Sequence, residues 1–202
     1  MKRAALAAIA LLLTAQAPDR PTAQPIRDVT VEYTLQDARD PNEVTRDRPL
    51  KVYWAKGGAR MRIEMGDERS YVVLDRDSRR MMMVLLDERG YVEVPFDPQR
   101  PTGFTVPPDL ALVRGRNEII VGNPCTLWYA KRGEGGGSLC VTDDGVLLRA
   151  DGYGEQRRGN LVATSVVYGP QPASVFAPPA GFRKLDITRR PAPASPDARK
   201  PG

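Results

Sequence analysis

The chain has 202 residues, a formal net charge of +5 and no histidine. The absence of histidine excludes Ser-His and Cys-His catalysis and removes the commonest transition-metal ligand. The positive charge is mild, and acidic residues are interleaved with the basic ones. A nucleic-acid-binding protein would instead gather its cations on one face or along one helix. Nucleic-acid binding is therefore not expected.

The first segment has the layout of a secretory signal peptide. Lys2 and Arg3 precede an apolar run at residues 4–13, and "TAQA" at residues 14–17 supplies small residues before a cleavage site. The apolar run is too short to cross a bilayer, which needs roughly 20 residues. We therefore predict a signal peptide at residues 1–17 and a periplasmic or secreted protein that is not integral to a membrane.

Composition divides the rest of the chain into three parts. Residues 18–25 are Pro-rich and polar and are predicted to be a flexible lead-in. Residues 26–187 suit one β domain. Residues 188–202 are Pro-rich and charged, which predicts a disordered tail.

The β domain contains roughly ten short apolar or alternating segments separated by turn residues. Residues 60–65 alternate cleanly and predict a half-buried strand. "DDG" at residues 143–145 is a strong hairpin signal, and glycines at residues 133–137 predict another hairpin tip. Residues 152–159 predict a polar loop, and residues 108–113 predict a turn or two of helix. The pattern predicts a mainly β fold, a curved antiparallel sheet or open half-barrel with few short helices.

"RRMMMVLL" at residues 79–86 predicts a strand that is apolar on both faces. Because side chains alternate between faces, Met81, Met83 and Leu85 share one face and Met82 and Val84 share the other. A strand of this kind is buried on both faces, and the sequence offers no long amphipathic helix as a cover. Neighbouring segments extend the first face, and the candidate ligand-binding residues are Met61, Ile63, Met65, Met81, Met83, Leu85, Val92, Val94 and Phe96. The alternative is an interior filled by the chain's own side chains, and periodicity does not decide which face is concave.

Two other chemistries are weaker interpretations of the sequence. The clustered carboxylates lie in predicted hairpin turns, where Asp bonds its own backbone, and they are Asp75, Asp77, Asp87, Glu88, Asp143 and Asp144. Thioethers suit Cu(I), but Met81 and Met83 face away from Met82. No catalytic residue, metal site or cofactor is predicted.

The two cysteines, Cys125 and Cys140, are predicted to form a disulfide, because an even cysteine count in an exported protein favours one. The bridge closes a loop of about 15 residues, worth roughly 3 kcal/mol in the chain-entropy model. A redox-active pair is the alternative, but the spacing is far from C-x-x-C.

The order of several segments resembles a LolA-like domain of bacterial envelope proteins. These are "YVVLDRDSRRMMMVLLDERGYVEVPF", "GNPCTLWYA", "LCVTDDGVLLRA" and a closing pattern made by Pro172, Phe176, Pro179, Gly181 and Phe182. The resemblance covers roughly residues 29–186. In the similar LolA and LolB carriers, a curved sheet forms an open half-barrel whose apolar concave face receives acyl chains.

The resemblance implies a non-enzymatic envelope protein that binds a lipid, an acyl chain or another apolar ligand. The loops at residues 36–48 and 97–116 would then cover the cavity. The resemblance does not imply a lipoprotein-carrier role. The alternative is a structural or interaction module with a filled interior and an envelope protein partner.

Overall fold

A computed structural model describes residues 20–38, 47–66, 69–97, 104, 106, 109–132, 135–154 and 157–186. The predicted signal peptide and the predicted tail lie outside the described residues, and so does most of the first predicted cover loop.

The described residues form one sheet of twelve strands. The strands are β1 (Val29–Ala38), β2 (Arg48–Ala55), β3 (Arg60–Met65), β4 (Ser70–Asp75), β5 (Arg80–Leu85), β6 (Gly90–Pro95), β7 (Leu112–Ile120), β8 (Asn123–Arg132), β9 (Gly135–Val141), β10 (Leu147–Gly154), β11 (Arg157–Tyr168) and β12 (Arg183–Lys184). One 3-10 turn, Ala173–Phe176, precedes β12.

The sheet consists of two antiparallel meanders, β1–β6 and β7–β11, which join where β1 pairs with β11. The sheet is curved and does not close, so it has two edges. The two-residue strand β12 adds to β6 in parallel at one edge, and β7 forms the other edge. The predicted fold class, a mainly β open half-barrel of antiparallel strands with little helix, is confirmed.

One local prediction is wrong, and two are wrong in their bounds. The helix at residues 108–113 is contradicted because Leu112 and Val113 begin β7 and pair with Ala130 and Tyr129. Strands β8 and β9 form the hairpin expected around residues 133–137, but residues 135–137 belong to β9 and not to its tip. The polar loop at residues 152–159 is largely occupied by the ends of β10 and β11. Position 137 of β9 requires glycine. A Cβ there would come 2.3 Å from the Asp151 carbonyl oxygen of β10.

The main core lies on one face of the sheet, which we call the inner face and define by Val29, Val52, Trp54 and Met61. Residues 20–25, the described part of the predicted lead-in, pack at its end, where Ala23 is buried. The adjoining Ile26 N–H donates a hydrogen bond to the Asp144 carbonyl oxygen at 3.0 Å. Among the described residues, no helix has the length and hydropathy to span a membrane.

The β7–β8 turn contains a strained residue. Val121 has φ 48° and Gly122 has φ 72°. Two positive φ angles in a two-residue hairpin loop favour Asn-Gly, and a β-branched side chain is disfavoured there. We expect Val121→Asn to raise the free energy of unfolding by about 1 kcal/mol, measured by urea denaturation. Gly122→Ala is the opposite control and should lower the free energy of unfolding. A Val121→Asn protein no more stable than the wild type would contradict the view that Val121 is strained.

Candidate ligand-binding face

Strand β5 separates two apolar surfaces. On the outer face, Met82 and Val84 are buried in a small cluster with Tyr71 and Val73 of β4. Residues 172–186, which we call the closing segment, cover this cluster, because the side chains of Phe176 and Phe182 pack against it. One of the two faces of the Met-rich strand is therefore covered by the protein itself.

The predicted ligand-binding residues of β3, β5 and β6 share the inner face. In the strand register, Met61 lies opposite Leu74, Leu74 opposite Met81, and Met81 opposite Val94. A second row runs in the same way through Ile63, Val72, Met83 and Val92. Met65 and Leu85 follow two residues further along β3 and β5, and Phe96 comes two residues after Val94.

Burial along these rows is greatest at Met61 of β3 and least at Met83 of β5. Met61 is fully buried within the main core. Ile63, Met65, Met81 and Phe96 are partly buried and pack against that core. Leu85, Val92 and Val94 are half-buried, and 42% of Met83 is exposed. The inner face is thus filled at β2 and β3 and becomes an open apolar surface at β5 and β6.

Sequence reasoning missed several residues of this face. Leu74 belongs to the first row and Val72 to the second, but "YVVL" is apolar on both sides and its periodicity does not assign a face. Trp54 of β2 continues the first row beyond Met61. Phe104 is buried against the core, with its ring centroid 5.8 Å from Tyr33 and 6.5 Å from Trp54. Phe104 comes from the second of the two loops that the LolA resemblance implies as covers.

Two grooves of the described structure lie elsewhere. One of about 460 Å³ lies between the β3–β4 end of the sheet and the closing segment, and of the nine predicted residues it includes Met65. It is lined by Arg62, Glu64, Met65, Gly66, Ser70, Tyr71, Leu86, Ser174, Ala177 and Pro179. Another of about 370 Å³ lies beside it along β1 and β2. Apart from Met65, the predicted residues line neither groove, and at β5 and β6 the predicted face is an open surface.

Arg62 holds the closing segment in place. Its Nη1 donates a hydrogen bond to the Val175 carbonyl oxygen at 2.8 Å. Its guanidinium carbon lies 3.5 Å from the centroid of the Tyr71 ring, and its Nη2 forms an ion pair with Glu64. In the sequence, Arg62 is one of several charges alternating with apolar residues, so no pattern distinguished it.

Two of the acidic residues in turns, Asp75 and Asp144, are held by several structural partners. Asp75 Oδ1 accepts the backbone N–H of Ser78 at 3.0 Å, and Asp75 Oδ2 pairs with Arg60 at 2.9 Å. Burial opposes ionisation of Asp75, but these hydrogen bonds outweigh it and hold its pKa below the ordinary value. Among the described residues, no group of three or more Cys, Asp or Glu is arranged to hold a metal ion.

Asp144 ties the N-terminal segment to the β9–β10 turn. Arg27 donates to its Oδ2 at 2.6 Å, and the hydroxyls of Thr142 and Tyr168 donate to its Oδ1 at 2.5 and 3.2 Å. Burial opposes ionisation of Asp144, but these three hydrogen bonds outweigh it and lower its pKa.

We expect the stabilisation by Asp144 to depend on pH. Because the pKa is lower in the folded state than in the unfolded chain, where it is about 3.9, the stabilisation is complete above that value. It disappears as pH falls through the folded-state pKa. Asp144→Asn should therefore destabilise the protein at pH 7, and the difference from the wild type should narrow below about pH 4. Urea denaturation at both pH values measures it. The exposed neighbour variant Asp143→Asn is the control, and a loss independent of pH would contradict the mechanism.

The disulfide between Cys125 and Cys140 is present, with the two Cα atoms 5.5 Å apart. In the register, Glu118 lies opposite Cys125, and Arg149 lies opposite Cys140. Arg149 Nη1 and Glu118 Oε2 lie 2.8 Å apart, so this ion pair crosses β8 and β9 on the face that carries the disulfide. Both cysteines are buried, which shields the bridge from solvent.

Comparison with known proteins agrees at the level of the fold. No family model matches the sequence, and no curated protein matches it. An uncharacterised conserved protein from Thermus thermophilus superposes with a TM-score of 0.53 at 12% identity, over 77% of this chain and 89% of that chain. At this identity the likeness is one of fold, and the fold of the chain is the mainly β open half-barrel that the LolA resemblance predicted.

Two further solved structures are similar at lower scores. A LolA superfamily protein from Nitrosomonas europaea gives a TM-score of 0.43 at 11% identity, over 76% of this chain and 91% of that chain. The Pseudomonas aeruginosa MucA/MucB complex gives 0.46 at 19% identity, over 76% of this chain and 56% of that chain. At these identities the likeness concerns the fold alone.

Proposed function

We propose that this is an exported, non-enzymatic protein that binds a lipid, an acyl chain or another apolar ligand on the inner face of β3–β6. The supporting observation is the unequal cover of β5. On the outer face, Met82 is buried beneath the closing segment. On the inner face, 42% of the surface of Met83 is exposed. An exposed apolar surface continuous with a core is typical of a binding site.

The arrangement of the two rows suits an elongated apolar ligand. Met61 is fully buried, so the ligand would begin at the partly exposed Met81 and Met83 and follow the rows towards Val92 and Val94. Methionine side chains adapt to ligands of different shape, and three of them, Met65, Met81 and Met83, border this path. The nine predicted residues are all apolar, so recognition would depend on apolar contact and not on a polar headgroup.

Export is part of the proposal. The pattern of residues 1–17 is that of a signal peptide, and the disulfide suits an oxidising compartment. The bacterial periplasm is such a compartment. A protein of the bacterial envelope is the partner we expect there.

Binding of a fluorescent fatty acid, cis-parinaric acid, to delipidated protein tests the proposal. We expect Met83→Glu to weaken binding at least about tenfold, because the ligand would desolvate the introduced carboxylate. Leu86→Glu is the matched control. Leu86 has 41% of its surface exposed but lines the groove beneath the closing segment, so its variant should bind like the wild type. Equal losses in both variants, or none, would contradict the inner-face site.

A filled interior with a protein partner is the second candidate. The side chains of Val31, Val52 and Met61 are completely buried, and the Phe104 ring covers part of the same face. These contacts leave less room for a ligand near β2. A delipidated wild-type protein that binds no fatty acid, with the Met83 surface still exposed, would favour this candidate.

A further inference from the structure

The two edges of the sheet differ in their protection. At one edge, β6 is paired with β12 and lies beside the closing segment. At the other edge, β7 pairs with β8, and in the described part of the chain no strand lies on its other side. The backbone groups of an edge strand that point away from the sheet are available to pair with another chain.

Exposed apolar side chains are concentrated at the β7 edge. Ile119 is 75% exposed, and Val113, Val121 and Tyr129 are exposed as well. They account for half of the large apolar side chains that are exposed in the described structure, and all four lie on β7, in its turn or on β8. Val121 also keeps an exposed β-branched side chain in a left-handed backbone conformation, where Asn would be less strained. The hairpin therefore retains apolar contact surface at a cost in stability.

The charge of this edge is positive. Arg114 and Arg116 are exposed on β7, and Lys131 is exposed on β8. The one carboxylate of β7, Glu118, lies within ion-pair distance of Arg116 at 3.1 Å and of Arg149 at 2.8 Å. Its negative charge is thus compensated by two arginines. A second copy of this chain would bring the same cations to the edge, so the charge disfavours self-pairing and favours an acidic partner.

We propose that β7 is a docking edge for an acidic, extended peptide segment of another protein, which adds as a further strand along Asn117–Ile120. The β-bulge between Arg114 and Asn117 interrupts the ladder and sets one limit of the docking stretch. The Val121–Gly122 turn sets the other limit. Backbone pairing supplies affinity, the Ile119 side chain supplies apolar contact, and Arg114 and Arg116 select negative charge. This proposal is independent of ligand binding on the inner face.

A synthetic peptide of about ten residues that alternates Glu and Val is the probe, and its binding is measured by fluorescence anisotropy. A Lys-Val peptide of the same length is the charge control and should not bind. In strand addition, alternate amides of the peptide face the edge. Two versions N-methylated at opposite sets of alternate residues should therefore differ, one losing binding and the other retaining it.

Variants locate the binding on β7. Ile119→Thr keeps a β-branched strand residue but removes the apolar contact, and it should weaken binding about tenfold. Val167→Thr is the matched control, since Val167 is 60% exposed on the interior strand β11 and should have no effect. The proposal is overturned if the Glu-Val peptide does not bind at about 1 mM, if both methylated versions bind equally, or if both variants weaken binding equally. It is also overturned if the purified protein is a dimer whose β7 amides are already protected from hydrogen exchange.

Discussion

Replacing Trp54 with alanine is expected to lower the free energy of unfolding by about 3–5 kcal/mol. Trp54 is buried at the filled end of the inner face, opposite Val29 of β1 and Met61 of β3. Its ring also meets the Phe104 ring edge-on at 6.5 Å between centroids. The truncation leaves a cavity between three strands that cannot collapse without moving the sheet. Urea denaturation at pH 7 measures the loss.

Tyr129→Ala is the aromatic control for this prediction. Tyr129 has 48% of its surface exposed on β8, so the same truncation there should cost on the order of 1 kcal/mol. Similar losses at the two positions would contradict the view that the inner face at β2 is the stability-determining core.

Removing the disulfide is expected to destabilise the protein by about 3 kcal/mol. The bridge joins β8 to β9 with a sequence separation of 15, and both cysteines are buried. The double variant Cys125→Ala and Cys140→Ala avoids introducing a buried hydroxyl. The free energy of unfolding is compared with that of the oxidised wild type.

Reduction of the unfolded wild type provides the control, because it removes the same cross-link without changing a side chain. Reduced wild type and double variant should agree within about 1 kcal/mol. A double variant as stable as the oxidised protein would show that the loop is already constrained by the β8–β9 hairpin.

The sequence predicted the features that depend on local pattern. The two-residue period of a strand assigned the side chains of residues 60–65 and of "RRMMMVLL" to faces, and the register places Met61, Met81 and Val94 on the same face. The disulfide was predicted from the even number of cysteines and from the expected export of the protein. Whether the shared face binds a ligand stays a prediction.

The features that depend on distant contacts were not predictable. Nothing near Met82 indicates that Phe176 and Phe182 would cover it, because the covering residues lie almost a hundred positions away. Residues 108–113 resembled a short helix, yet pairing with β8 places Leu112 and Val113 in a strand. The edge position of β7 follows from the order of all strands, which local periodicity does not contain.

Native mass spectrometry of the protein purified from a bacterial periplasm without detergent tests the central claim most directly. The account predicts an additional mass of lipid size that disappears on denaturation and is reduced in Met83→Glu but not in Leu86→Glu. A protein that carries no such mass, and that acquires none when fatty acid is added, would contradict apolar ligand binding on the inner face.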